Sequence, residues 1–120
     1  MKTIEQFSNS FINSFLTEKN ITQLTDIQEK VIPEILKGKS VNVIAKTGSG
    51  KTLAFLLPVV DLLKNYESNY GIRLQNEDRG KPLAIILAPT RELCTQLAKV
   101  TKGVSHHAKM RVRTLFGGEG

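Results

Sequence analysis

The chain has 120 residues, enough for one domain at most, and a hydrophobic fraction of 40% that suits a packed core. Its 17 basic and 11 acidic residues give a formal charge of +6, which is compatible with a polyanionic partner and equally with plain solubility. The single cysteine, Cys94, excludes an internal disulfide framework, and no stretch approaches the roughly 20 apolar residues of a membrane span, so the expected setting is reducing, soluble and cytoplasmic.

Ile4, Phe7, Phe11 and Phe15 recur at helical spacing with Ser, Asn and Glu between them, which predicts an amphipathic first helix. A second helix is expected after Thr25, with Ile27, Val31, Ile32, Ile35 and Leu36 on its inner side, Pro33 inside it and Gly38 as its stop. Val41 to Ile44 is strand-like. A third helix, from about Thr52 to Lys64, is apolar nearly all round and so is expected to be buried. From Asn65 to Lys81 the composition turns polar, as in a surface connection. Leu83 to Ala88 is a continuous apolar run of the kind a buried parallel strand has, and Glu92 to Lys102 reads as an amphipathic helix through Leu93, Leu97 and Ala98. His106-His107 lacks zinc-ligand spacing with Cys94 and reads as a solvated turn. A last strand, Arg111 to Phe116, leads to Gly117-Gly118. The alternation of strand and helix after Gly38 predicts an α/β doubly wound parallel sheet over 39–120, preceded by a helical segment over 1–38.

Three constellations carry chemistry. Ala45-Lys46-Thr47-Gly48-Ser49-Gly50-Lys51-Thr52 lies between a strand-like stretch and a helix, where glycines let backbone N–H groups curl toward one point and the helix N-terminus adds positive partial charge. That is a phosphate-binding loop, in which Lys51 can reach the β and γ phosphates and the Thr52 hydroxyl can ligate Mg²⁺. At Pro89-Thr90-Arg91-Glu92-Leu93, Thr90 is a candidate N-cap, and Arg91 then opposes the helix dipole. Its compensating anion is either a neighbouring carboxylate or a nucleic-acid phosphate. Thr25-Asp26-Ile27-Gln28 has the form of a capping box, and the Gln28 carboxamide also matches the N6 donor and N7 acceptor of adenine.

Taken together, Gln28 in Leu24-Thr25-Asp26-Ile27-Gln28, the loop Ala45 to Thr52, Pro89 to Leu93 and Gly117-Gly118 resemble the Q motif, motif I, motif Ia and the GG motif of DEAD-box ATP-dependent RNA helicases. The resemblance implies the N-terminal part of a RecA-like domain that uses ATP and Mg²⁺. It assigns Gln28 to adenine, Thr47, Gly48, Ser49, Gly50, Lys51 and Thr52 to the phosphates and metal, and Pro89, Thr90, Arg91, Gly117 and Gly118 to sequence-independent contact with the RNA backbone. Asn20 and Ile21 stand where that family usually has Gly and an aromatic, Leu24 where it has Pro, Lys46 where Gln is common and Cys94 where Ala is common. The family's Asp-Glu-Ala-Asp motif is not in the sequence, so the chain by itself is expected to bind rather than hydrolyse. A short nucleotide- or RNA-binding module and another kind of phosphate-loop protein remain the alternatives.

Overall fold

The computed structural model describes residues 10–46, 50–71 and 83–115. Among them are four helices, α1 (Ser10–Glu18), α2 (Asp26–Leu36), α3 (Lys51–Tyr70) and α4 (Arg91–Ala108). Helix α2 packs on α3, while α4 packs on both α1 and α3. A single core draws on all four, with Ile12 and Leu16 from α1, Ile32 from α2, Leu56 and Leu57 from α3 and Val104 from α4.

Helix α1 buries Ile12, Phe15 and Leu16, an i, i+3, i+4 stripe, and Phe11 lies at its margin. Ile4 and Phe7, which the sequence pattern assigns to the same helix, lie outside the described residues. The helix ends at Asn20, whose φ of 57° is left-handed. There the N–H of Asn20 donates to the Thr17 carbonyl at 3.1 Å and that of Ile21 to the Leu16 carbonyl at 2.9 Å. This is a Schellman ending, and Asn is one of the few residues besides Gly that enters it without large strain. The departure from Gly at position 20 is therefore a tolerated one.

Helix α2 begins where the capping box predicts. The Thr25 hydroxyl accepts the Gln28 N–H at 3.4 Å and the Gln28 Oε1 accepts the Thr25 N–H at 2.9 Å. The reciprocal pair satisfies two of the N–H groups that the first turn leaves without helical partners. The helix stops at Gly38, φ 81°, with the Gly38 N–H on the Ile35 carbonyl at 2.8 Å and the Lys39 N–H on the Glu34 carbonyl at 3.1 Å. Val31 and Ile32 are buried, whereas Ile27, Ile35 and Leu36 are half-buried.

Helices α3 and α4 both run past their expected ends. Residues 65–70, expected as surface connection, continue α3 to Tyr70, and Gly71 stops it with a φ of 65°. Lys64 pairs with Glu67 one turn on, and the rings of Tyr66 and Tyr70 lie 4.6 Å apart at i, i+4. The polar composition marks the solvent face of a longer helix. Helix α4 continues from Lys102 through Gly103 to Ala108, burying Val104, Ser105 and Ala108 in the added turns. His106-His107 is therefore the last turn of a helix, which corrects the solvated turn expected there. His107 bonds through Nε2 to the Glu18 carboxylate of α1 and sets its ring edge-on to Phe15, centroids 6.1 Å apart.

The three segments expected as strands do not form a sheet among the described residues. Val41 to Ile44, 83–88 and 111–115 are irregular, and Ile44, Ile85, Leu87 and Leu115 are 93%, 73%, 88% and 87% exposed. An apolar run records what a segment would bury, whereas a strand also needs a neighbour to complete its hydrogen-bond ladder. Phe116, the expected end of the last strand, lies outside the described residues.

Two substitutions test this architecture. Asn20→Val, which puts a β-branched side chain at φ 57°, is expected to lower the unfolding free energy by about 1–2 kcal/mol, with Asn20→Gly near neutral. Leu57→Ala, at a site 0% exposed, is expected to lower it by about 2–5 kcal/mol. Urea unfolding followed by circular dichroism measures both, and a Leu57→Ala value within about 0.5 kcal/mol of wild type would contradict the core described above.

Candidate functional site

The end of the phosphate-binding loop is held against the start of α2. Gly50 is the N-cap of α3 and has a φ of 86°. Its carbonyl accepts the Gln28 Nε2 N–H at 3.1 Å across 22 residues of sequence. A Cβ at position 50 would come within 2.5 Å of Gln28 Nε2 and 2.9 Å of Thr25 Oγ1. Glycine is thus required here for two reasons, the left-handed backbone and the absence of room above it. Gln28 is 4% exposed, and the bonds to Thr25 and Gly50 use one lone pair and one N–H of its carboxamide.

Lys51 and Thr52 open α3 on the other side of that glycine. The exposed Lys51 ammonium donates to the Ala45 carbonyl at 2.8 Å, so the first residue of the loop and its lysine are drawn together across the turn. Thr52 is half-buried and lines a groove of about 250 Å³ whose other walls include Leu87, Ala88, Pro89, Leu93 and Leu97. The helix that follows Pro89 is capped as expected, with the Thr90 hydroxyl accepting the Leu93 N–H at 3.1 Å. Arg91 is the first residue of α4, and its backbone carbonyl accepts the Thr95 hydroxyl at 3.0 Å.

Of the site residues expected from sequence, Lys51 bonds to the Ala45 carbonyl, while Thr90 caps and Arg91 opens α4. Gln28 and Gly50 touch each other, and Thr52 and Pro89 share a groove. The groove lining does not include Gln28. Thr47, Gly48, Ser49, Gly117 and Gly118 lie outside the described residues. Sequence reasoning assigned Thr25 only to the cap and missed that its side chain also roofs Gly50. The Lys51 contact with Ala45 and the place of Gln96 in the groove were missed as well. The visible signal for the first was the pairing of a Thr-x-x-Gln box with a glycine immediately before the loop lysine; for the groove it was the alternation of strand and helix, which sets the Pro89 junction and the phosphate loop on one rim.

For divalent metal, Thr52 offers one hydroxyl oxygen, and among the described residues no group of three or more His, Cys, Asp or Glu side chains could hold an ion. That donor set fits Mg²⁺, which commonly takes its remaining ligands from phosphate oxygens and water. Asp61, the carboxylate nearest in sequence, is 2% exposed on the buried side of α3 and so does not complete the set. No described helix is long and apolar enough to cross a membrane.

Comparison with known proteins gives one consistent match. The profile of the DEAD/DEAH box helicase family covers residues 25–120. DEAD-box ATP-dependent RNA helicase 39 of Arabidopsis thaliana is 44% identical over 103 residues, which is 86% of this chain and 16% of that protein. The crystal structure of the RNA helicase Prp28 from Chaetomium thermophilum bound to ADP superposes with a TM-score of 0.79 at 30% identity, over 100% of this chain and 28% of that one. A hypothetical ATP-dependent RNA helicase from Sulfolobus tokodaii gives a TM-score of 0.72 at 31% identity, over 93% and 28% of the two chains. The chain spans 10–17% of the length of the relatives it matches by sequence.

Gly50→Ala is expected to lower stability by about 1–3 kcal/mol from the left-handed backbone, and further from the clash of its Cβ with Gln28 and Thr25. Combining it with Gln28→Ala is expected to recover part of that loss, because one of the crowded groups is removed. A double-mutant cycle by urea unfolding measures the coupling, and strictly additive losses would mean that Gln28 and Gly50 do not press on each other.

Proposed function

Because the chain belongs to the DEAD/DEAH box helicase family, we propose that it binds the adenine nucleotide and part of the RNA backbone for an ATP-dependent RNA helicase. The observation that carries this is the junction at Gly50, where the adenine-candidate Gln28 sits on the carbonyl of the residue that starts the lysine-bearing helix. The second N–H and lone pair of Gln28 are the pair that would address the base. That a helicase of the same fold was solved with ADP supports the choice of nucleotide.

In this reading Lys51 leaves the Ala45 carbonyl for the terminal phosphates, while Thr47, Gly48, Ser49 and Gly50 supply backbone N–H groups. The Thr52 hydroxyl would hold Mg²⁺, whose chemistry is to neutralise charge on the phosphates. Thr90, Arg91, Pro89, Gly117 and Gly118 would hold RNA phosphates and sugars, which fix position and carry little sequence information. The segments 41–44, 83–88 and 111–115 would become strands of a RecA-like parallel sheet. The exposure of Ile44, Ile85 and Leu87 supports this, since those side chains want neighbours. The residues over 1–38 would then form the helical flank that carries Gln28, and those over 39–120 the start of the sheet domain.

We also propose that hydrolysis needs groups beyond those that the described residues supply. Asp26 opens α2 and Asp61 is buried along α3, so neither offers the free carboxylate at a strand end that would hold the metal and orient water.

Calorimetric titration with Mg·ADP and Mg·GDP tests the reading. Selective binding of the adenine nucleotide is expected, with Gln28→Ala losing the selectivity. Lys51→Ala is expected to weaken binding about 10- to 100-fold through loss of a charge-assisted bond. Equal affinity for both nucleotides would leave a generic phosphate loop.

A further inference from the structure

The positive charge of this chain is not spread evenly. Between Glu92 and Glu119 there is no acidic side chain, while Lys99, Lys102, Lys109, Arg111 and Arg113 all fall there. At 100° per residue, Arg91, Lys99, Lys102 and His106 lie within about 80° of one another on α4, on the side opposite the buried Val104, and Lys109 is the C-cap that follows. All five are exposed, and beyond the helix so are Arg111 and Arg113, with Met110 and Val112 half-buried between them. The result is a basic stripe, densest from Lys99 to Lys109 and without a cation between Arg91 and Lys99. With 18 residues in α4 it is about 27 Å long at the usual rise.

We propose that this stripe is a second nucleic-acid surface, which carries the RNA backbone along α4 from the Thr90–Arg91 junction toward Lys109. The inference deepens the RNA part of the reading above and rests on it for the identity of the polyanion. An RNA phosphate track fits better than an acidic protein surface. Protein interfaces concentrate aromatic and apolar anchors and are depleted of lysine, whereas this face offers three lysines, an arginine and Thr95 with no exposed apolar side chain among them. One end of the stripe is also the arginine already assigned to RNA. Contacts of this kind would be indifferent to sequence and steeply dependent on salt.

The test is fluorescence anisotropy of labelled oligouridylate with the full chain, without nucleotide, across a range of KCl. The variant Lys99→Gln/Lys102→Gln/Lys109→Asn keeps a residue suited to the left-handed conformation at position 109, φ 55°. It is expected to weaken binding at low salt at least 10-fold and to reduce the slope of log affinity against log salt by about 2, at roughly 0.7 per phosphate released. A charge-matched control, Lys19→Gln/Lys30→Gln/Lys37→Gln, is expected to change affinity less than about 3-fold, and the arginine version of the first triple is expected to bind as wild type. Equal losses in the two glutamine-bearing triples would reduce the effect to net charge and overturn the proposal, as would competition by polyglutamate on a par with RNA. If Arg91→Gln abolishes binding while the stripe triple keeps the wild-type slope, the stripe is wrong and the RNA reading survives. If the wild-type chain binds no RNA, both fall.

Discussion

The rest of this architecture depends on one crowded contact. Gly50 turns the chain into α3 through a left-handed backbone, and the capping box of α2 sits directly on it, with Gln28 donating to its carbonyl and Thr25 filling the space where a side chain would stand. A cap normally serves its own helix. Here the same two side chains also fix where another helix begins, and with it the positions of Lys51 and Thr52. The local stability of α2 and the placement of the loop lysine are thereby linked through atoms that a single methyl group at position 50 would displace.

Much of this was legible in the sequence where the signal was local. Thr25-x-x-Gln28 marked the start of α2 and Gly38 its end, because both are settled by hydrogen bonds within a few residues. Thr90 was likewise readable as a cap. The end of α4 was not, since His107 gains its stabilisation from Phe15 and Glu18 on another helix, and at the end of α3 the polar composition hid the i, i+4 pair Tyr66 and Tyr70. A polar stretch or a glycine in a helix then looks like an ending. The strands illustrate the opposite limit. The run from Leu83 to Ala88 states a preference for burial, but pairing is a property of two segments, and one sequence window contains only one of them.

Charge and apolar surface are also separated. The basic side chains of α4 face away from its packed side, while the groove between α4 and Leu87–Pro89 is lined mainly by apolar groups and reached by Thr52. A phosphate chain on the first surface and a nucleotide near the second would occupy opposite sides of one helix.

The bond between His107 and Glu18 joins groups 89 residues apart, whereas Gln28 reaches Gly50 across only 22. Closing loops of these lengths costs about 4 and 3 kcal/mol respectively. On a ribosome the difference is also one of time. The contact between α2 and α3 can form as soon as α3 emerges, but Ile12, Phe15 and Leu16 of α1 must wait for the last turns of α4, the helix α1 packs against, to be synthesised. Until then the apolar stripe of α1 lacks that part of its cover, and a stripe of this kind is what a nascent-chain chaperone shields.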